Sequence, residues 1–164
     1  MYHTAVSANL APLREERALL PGENMNARPA DVMLPHYAGG RHLALDVCVV
    51  SSLQALLVDG AADEPGHALQ HRYTEKWRKY GEACQAEGMV FQPMPFEVLG
   101  GVHDNAAGVI KKLGQSLARA GGHDEAEVTK HLFGRLSILL MKGNSQLILS
   151  RSPNHNEPHV DGLL

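Results

Sequence analysis

Two aspartates stand where the chain is otherwise apolar: Asp31 in RPADVML and Asp46 in LALDVCVV. Both runs read as β-strands, aspartate is a poor strand former, and burying a lone carboxylate costs several kcal/mol unless something compensates. The glycine-rich PHYAGG between them invites a hairpin. With the turn centred between Ala38 and Gly39, antiparallel partners have numbers summing to 77, which sets Asp31 directly across from Asp46. Opposed residues hold their Cβ atoms about 5 Å apart on one face of the sheet. Two carboxylates that close repel, and a hard divalent cation resolves the repulsion by taking oxygens from both. A slip of one residue sends the pair to opposite faces. In the plainer reading, Asp31 accepts from nearby backbone at a strand end and Asp46 faces water.

A third group comes from the helix expected over residues 67–87. On its wheel Leu69, Tyr73, Tyr80 and Cys84 form one stripe with Trp77 on the shoulder, and Lys76 falls at the margin. A lysine there extends its stem along the packed face and brings its ammonium toward the hairpin. Two carboxylates, a lysine and a divalent ion form a minimal machinery for metal-assisted phosphodiester hydrolysis. The ion polarises the phosphoryl oxygen and acidifies water, and the lysine stabilises developing negative charge.

The surrounding elements must hold these groups in place. A helix is expected over residues 8–20 (ANLAPLREERALL), stopped by Pro21-Gly22, and the hairpin follows. Residues 51–66 hold a helical turn and a loop, and Gly88 stops the long helix. The run MVFQPMPFEVLGG is β-prone, and Pro93 and Pro95 make it short, irregular or an edge strand. Strand, helix and strand within about 50 residues form a crossover unit, so this strand should lie parallel to the one bearing Asp46 and beside it. Two more helices, over 102–120 and from 123 onward, read as a covering layer. The expected fold is α/β: a small mixed sheet, antiparallel hairpin plus a parallel strand, flanked by helices, with residues 1–150 as one domain and 151–164 as a polar tail.

Composition narrows the function classes. At 164 residues and 44% hydrophobic, the chain suits one domain with a proper core. Fifteen basic and eighteen acidic residues leave a net charge of -3, which disfavours coating nucleic acid by bulk attraction. Cys48 and Cys84 form no C-x-x-C pair, which excludes a zinc ribbon, a thioredoxin motif and a disulfide scaffold. There is no run of 18 apolar residues and no signal-like start, so an intracellular, non-membrane protein is expected. His155 and His159 sit in polar sequence that reads as a frayed tail.

The order Arg28-Pro29-Ala30-Asp31, then Leu43-Ala44-Leu45-Asp46-Val47-Cys48-Val49-Val50, then Tyr73-x-x-Lys76-x-x-Lys79-Tyr80 resembles the PD-(D/E)XK nuclease superfamily. More narrowly, it is similar to the restriction-like endonuclease domain near the C-terminus of non-long-terminal-repeat retrotransposon proteins and related eukaryotic open reading frames. The stretch from Cys84 to Gly101 is similar to the segment that follows there. The resemblance spans roughly residues 28–101. It implies a restriction-endonuclease-like fold and hydrolysis of DNA phosphodiesters with Mg²⁺ or Mn²⁺. Asp31 and Asp46 match the metal-binding acids, and Lys76 a catalytic lysine that has migrated to the helix, with Lys79 the runner-up. Alanine at position 30 spaces the usual P-D pair, and Cys48 stands where the lysine is usual.

The same resemblance makes Glu15, or next to it Glu16, a further metal-binding carboxylate in the first helix. Glu97 is a possible supporting carboxylate. Arg28, Arg72 and Lys79, and more distantly Arg78, Lys111, Lys112 and Arg119, are candidates to contact a phosphate backbone. The expected partner is DNA, with other domains of a mobile-element protein and a nuclear location if the chain is retrotransposon-derived. The alternatives are a catalytically silent nucleic-acid-binding or structural remnant of the same fold and, more weakly, a small-molecule metal hydrolase.

Overall fold

The hairpin forms around two glycines. Val32–Ala38 (β2) and Arg41–Val50 (β3) run antiparallel and join through Gly39 and Gly40, whose positive φ angles of 57° and 81° suit the tight turn that matches strand twist. The computed structural model describes residues 1–14, 20 and 29–151.

The pairing is Val32↔Leu45, Met33↔Ala44 and Leu34↔Leu43, the expected sum of 77. At the tip it is Ala38↔Arg41, because the turn sits one residue later than expected. An irregularity between Leu34 and Ala38 takes up the two-residue difference, with His36 held at a left-handed φ of 54°. Two is the side-chain period of a strand, so the facing of every residue below the bulge is kept.

Val90–Glu97 (β4) lies parallel to β3, and Asp46 pairs with Pro93 and Cys48 with Pro95. The sheet order is β1-β2-β3-β4, where β1 is the two-residue strand Leu13–Arg14. β4 is thus an edge strand, eight residues long despite its prolines. Its odd positions turn their backbone outward: Glu97 N–H donates to Gly101, and Pro95 C=O accepts from His103. Both prolines therefore lack an N–H only where no ladder partner exists.

The two sheet faces are covered differently. His67–Ala86 (α3) packs over Met33, Ala44 and Phe91 with Cys84, Trp77 and Tyr80. It ends at Glu87, and Gly88 follows at φ 70°. The opposite face, Val32, Leu34, Leu43, Leu45, Met94 and Phe96, meets Asp104–Gly121 (α4) and the first half of Glu125–Arg151 (α5). A short helix, Val58–Asp63 (α2), follows Leu57, which is buried with Val50, Ala68 and Leu69.

The expected helix over 8–20 is not found among the described residues. The helix lies earlier, at Tyr2–Ser7 (α1), and Asn9 and Ala11 then take positive φ. Leu13 and Arg14 instead pair with Met33 and Val32. This satisfies backbone groups that an uncovered β2 edge would leave open, and local helix propensity yields to it.

α4 and α5 cross at Gly114, where a Cβ would come within 2.6 Å of Thr129 Oγ1 and 3.4 Å of its Cα. Gly114→Val should therefore separate the helices and destabilise the domain by about 1–3 kcal/mol, read as a lower midpoint in thermal denaturation. An unchanged midpoint would mean that the crossing tolerates the extra volume.

Candidate active site

The register places Asp31 and Asp46 side by side on the face that α3 covers. Asp31 N–H donates to Leu45 C=O at 2.9 Å, and its Oδ2 accepts from the Val47 N–H at 2.7 Å. That oxygen is therefore within about 5.5 Å of the Asp46 Cα, adding the two covalent bonds between Val47 N and that atom. The two aspartates differ in environment: Asp31 is exposed, whereas Asp46 is 5% exposed. The plainer expectation thus holds for half of the pair, since Asp31 does accept from backbone but Asp46 does not face water.

Lys76 reaches across from α3 as its wheel position requires. Its Nζ is 2.9 Å from Asp46 Oδ2 and 3.3 Å from Oδ1. Only the longer contact is aligned as a hydrogen bond, so the buried Oδ2 has no directed donor. Burial pushes the Asp46 carboxyl above its ordinary range; Lys76 pulls it down without cancelling the effect, and the Asp31 charge pushes it up again. Burial alone would lower the Lys76 ammonium, but the hydrogen bond and charge of Asp46, helped by Cys48 and Tyr80, hold it above its usual value. The pair is an ammonium and a carboxylate in a partly dry site.

Cys48, two residues beyond Asp46, shares its face, and burial with the Asp46 charge pushes the thiol up to about 11. It is a neutral wall of the site. The strand period alone could have placed it there. Arg72 and Lys79 lie on the Lys76 flank of α3. Arg72 Nη1 meets Glu75 Oε2 at 2.8 Å while its Nε is buried and unpartnered, and Lys79 Nζ stands 4.8 Å from the Tyr80 ring centre. Both charges reach the site: Lys79 lowers Asp46 and Arg72 lowers Cys48.

Other expected residues are not brought in. Glu97 pairs with Val50, four residues past the Asp46–Pro93 level, about 13 Å along the strand. Lys111, Lys112 and Arg119 are exposed on α4, beyond the other face of the sheet, and Arg78 is exposed on α3. Glu15, Glu16, Arg28, His155 and His159 lie outside the described residues. Among the described residues there is no group of three or more His, Cys, Asp or Glu side chains able to hold a metal ion. Asp31 and Asp46 nevertheless suit a hard cation that keeps most of its waters, since they offer carboxylate oxygens from the start of β2 and from β3, and one oxygen is buried without a directed donor. No helix among the described residues is long and apolar enough to cross a membrane.

In comparisons with known proteins, no family model, no curated protein and no solved structure matches the chain.

A polar cluster around the buried His103, which sequence reading missed, flanks α3. His103 caps α4 by accepting from the Asn105 N–H at 3.2 Å. It stacks on Tyr73 with ring centres 4.3 Å apart, and its Nε2 lies 3.0 Å from Gln70 Oε1. An Nδ1 that accepts leaves Nε2 to donate, so the ring is neutral in the fold. Burial holds it below its ordinary range, against the pull of Asp104. The folded value is depressed, so this contribution to stability is present above pH ~6.5 and is lost as pH falls from there through the folded value. Acid titration of the melting temperature should show this loss. It should be absent in His103→Asn, which retains a capping oxygen without titrating.

Proposed function

We propose that this protein is a metal-dependent endonuclease of restriction-endonuclease-like fold that hydrolyses DNA phosphodiester bonds and derives from a non-long-terminal-repeat retrotransposon. The observation that carries the reading is the Lys76 ammonium 2.9 Å from a buried Asp46, with Asp31, the residue that leads into β2, beside it. A lysine supplied by the following helix rather than by position 48 is what the motif order implies, and this ammonium reaches the acid from that helix.

Asp31 and Asp46 would hold Mg²⁺ or Mn²⁺, which when bound supplies polarisation of the phosphoryl oxygen and a more acidic water. The chain's own groups do the rest. The Val47 N–H fixes the Asp31 carboxylate through Oδ2. Burial of Asp46 strengthens its attraction for any cation. Lys76, once Asp46 is engaged elsewhere, offers its charge to the phosphoryl oxygens as negative charge develops on them. Arg72 and Lys79, on the same flank of α3, would meet the DNA backbone, which positions a strand without reading bases. Target choice would come from DNA shape or from partner domains of a mobile-element protein in the nucleus.

The test is conversion of supercoiled plasmid to nicked circles with Mg²⁺ or Mn²⁺ and its loss with a chelator. A second reading, a catalytically silent nucleic-acid-binding remnant, is favoured by one observation: the described residues supply two acids, one already paired with lysine. DNA binding with no nicking in either metal would select that reading.

A further inference from the structure

We infer that His36 and His42 form a two-histidine site for Zn²⁺, which clips the β2–β3 hairpin beside its turn. The ring centres lie 5.1 Å apart and the planes are tilted by 52°. That tilt is neither the parallel nor the edge-on arrangement that aromatic packing favours. The spacing is instead that of two imidazoles on one ion. With metal–nitrogen bonds of about 2.0–2.1 Å, each ring centre stands about 3.2 Å from the metal, and a tetrahedral angle sets the two centres about 5.2 Å apart.

The backbone is strained where it brings the pair together. Between Leu34↔Leu43 and Ala38↔Arg41 the bulge sets Pro35, His36 and Tyr37 against His42 alone, and His36 takes its left-handed φ of 54° there. Bulges re-aim side chains, and such a φ in a residue other than glycine marks places where function holds the strain. Each ring offers a nitrogen suited to a metal. Gly40 C=O, 3.3 Å from His36 Nδ1, can only accept, so Nδ1 carries the proton and Nε2 keeps its lone pair. A carbonyl on the far nitrogen is what orients metal-binding histidines. His42 Nδ1 is buried with no hydrogen-bond partner among the described residues, and a metal bond would satisfy it. His36 is exposed, which gives an ion its way in from solvent.

The site is separate from the acidic one: His42 precedes Asp46 by four residues of β3, about 13 Å along the strand. Imidazole suits Zn²⁺, Ni²⁺ and Cu²⁺, whereas Mg²⁺ prefers oxygen. No third His, Cys, Asp or Glu joins the pair among the described residues, so water completes the coordination. Half the ligands of a structural zinc site give roughly half its binding free energy, a Kd on the order of 10 µM.

Isothermal titration calorimetry of ZnCl₂ into the full chain, with excess MgCl₂ present, should show a site with a Kd of about 1–100 µM. His36→Asn, which accepts a left-handed φ, and His42→Gln should each weaken it at least ~10-fold, with unchanged circular dichroism. In the unmutated chain, ¹H–¹⁵N spectra of the histidine rings should show Zn²⁺ shifting the nitrogens of His36 and His42 ahead of those of every other histidine. Affinity unchanged in either variant, or no binding below about 1 mM Zn²⁺, would overturn the proposal. So would loss of binding in His155→Ala/His159→Ala with the pair intact, or displacement of Zn²⁺ by Mg²⁺, which would assign the ion to Asp31 and Asp46.

Discussion

Asp46→Ala and Lys76→Ala should each reduce Mg²⁺-dependent plasmid nicking by about 10²–10³-fold, with the double variant little worse than either single one. The size follows from the roles. Removing Asp46 takes away one of two acids able to hold the cation, and removing Lys76 takes away a fixed charge in a partly water-excluded site, where one such donor is worth about 10²–10³ in rate. Near-equality of the single and double variants follows because groups acting as one unit lose their function together. Asp31→Ala should fall in the same class, whereas Arg72→Ala and Lys79→Ala should weaken DNA binding and flatten its salt dependence while leaving residual cutting at saturating DNA. Time courses of supercoiled substrate over a series of Mg²⁺ concentrations measure all of these. Nicking that survives in the Asp46/Lys76 double variant would remove the proposed centre.

Stability without divalent cations should respond in the opposite sense for the two partners. Lys76→Met leaves Asp46 buried with an uncompensated charge, a loss of about 3 kcal/mol for a broken buried pair, or roughly 10 °C in melting temperature at this chain length. Asp46→Asn should instead raise the melting temperature: burial already disfavours the ionised carboxyl, and Lys76, with a quarter of its side chain exposed, can regain water. Adding Asp46→Asn to Lys76→Met should recover most of the loss, because no buried charge then remains. Thermal denaturation followed by circular dichroism closes this cycle. An additive double variant would mean that the two groups do not interact, contrary to their 2.9 Å contact.

The cycle also separates fold from chemistry. Asp46→Asn should be the more stable protein and the inactive one, the relation expected where a site keeps a charge the fold alone would discard. Mg²⁺ should narrow the gap by stabilising the native chain over Asp46→Asn.

Much of the site could be read from local pattern. Helical spacing over residues 69–84 put Lys76 at the margin of a packed stripe, because the helix period is a property of the backbone. The pairing of Asp31 with Asp46 was also legible, although the turn is centred on Gly39-Gly40. The bulge compensates with two residues, and even numbers leave strand facing intact.

What the sequence could not decide depends on contacts between distant residues. Residues 8–14 carried helix-like spacing, yet Leu13 and Arg14 became a strand because the β2 edge needed partners. His103 gave no sign that it would cap a helix and stack on Tyr73, thirty residues away. The burial of Asp46 is the plainest case. Its residue type predicts exposure, and it is only the packing of α3 over β3, with Lys76 brought within 2.9 Å, that makes a buried carboxylate tolerable. Periodicity fixes which way a side chain points; how much water and charge surrounds it is settled by whatever the rest of the chain lays against it.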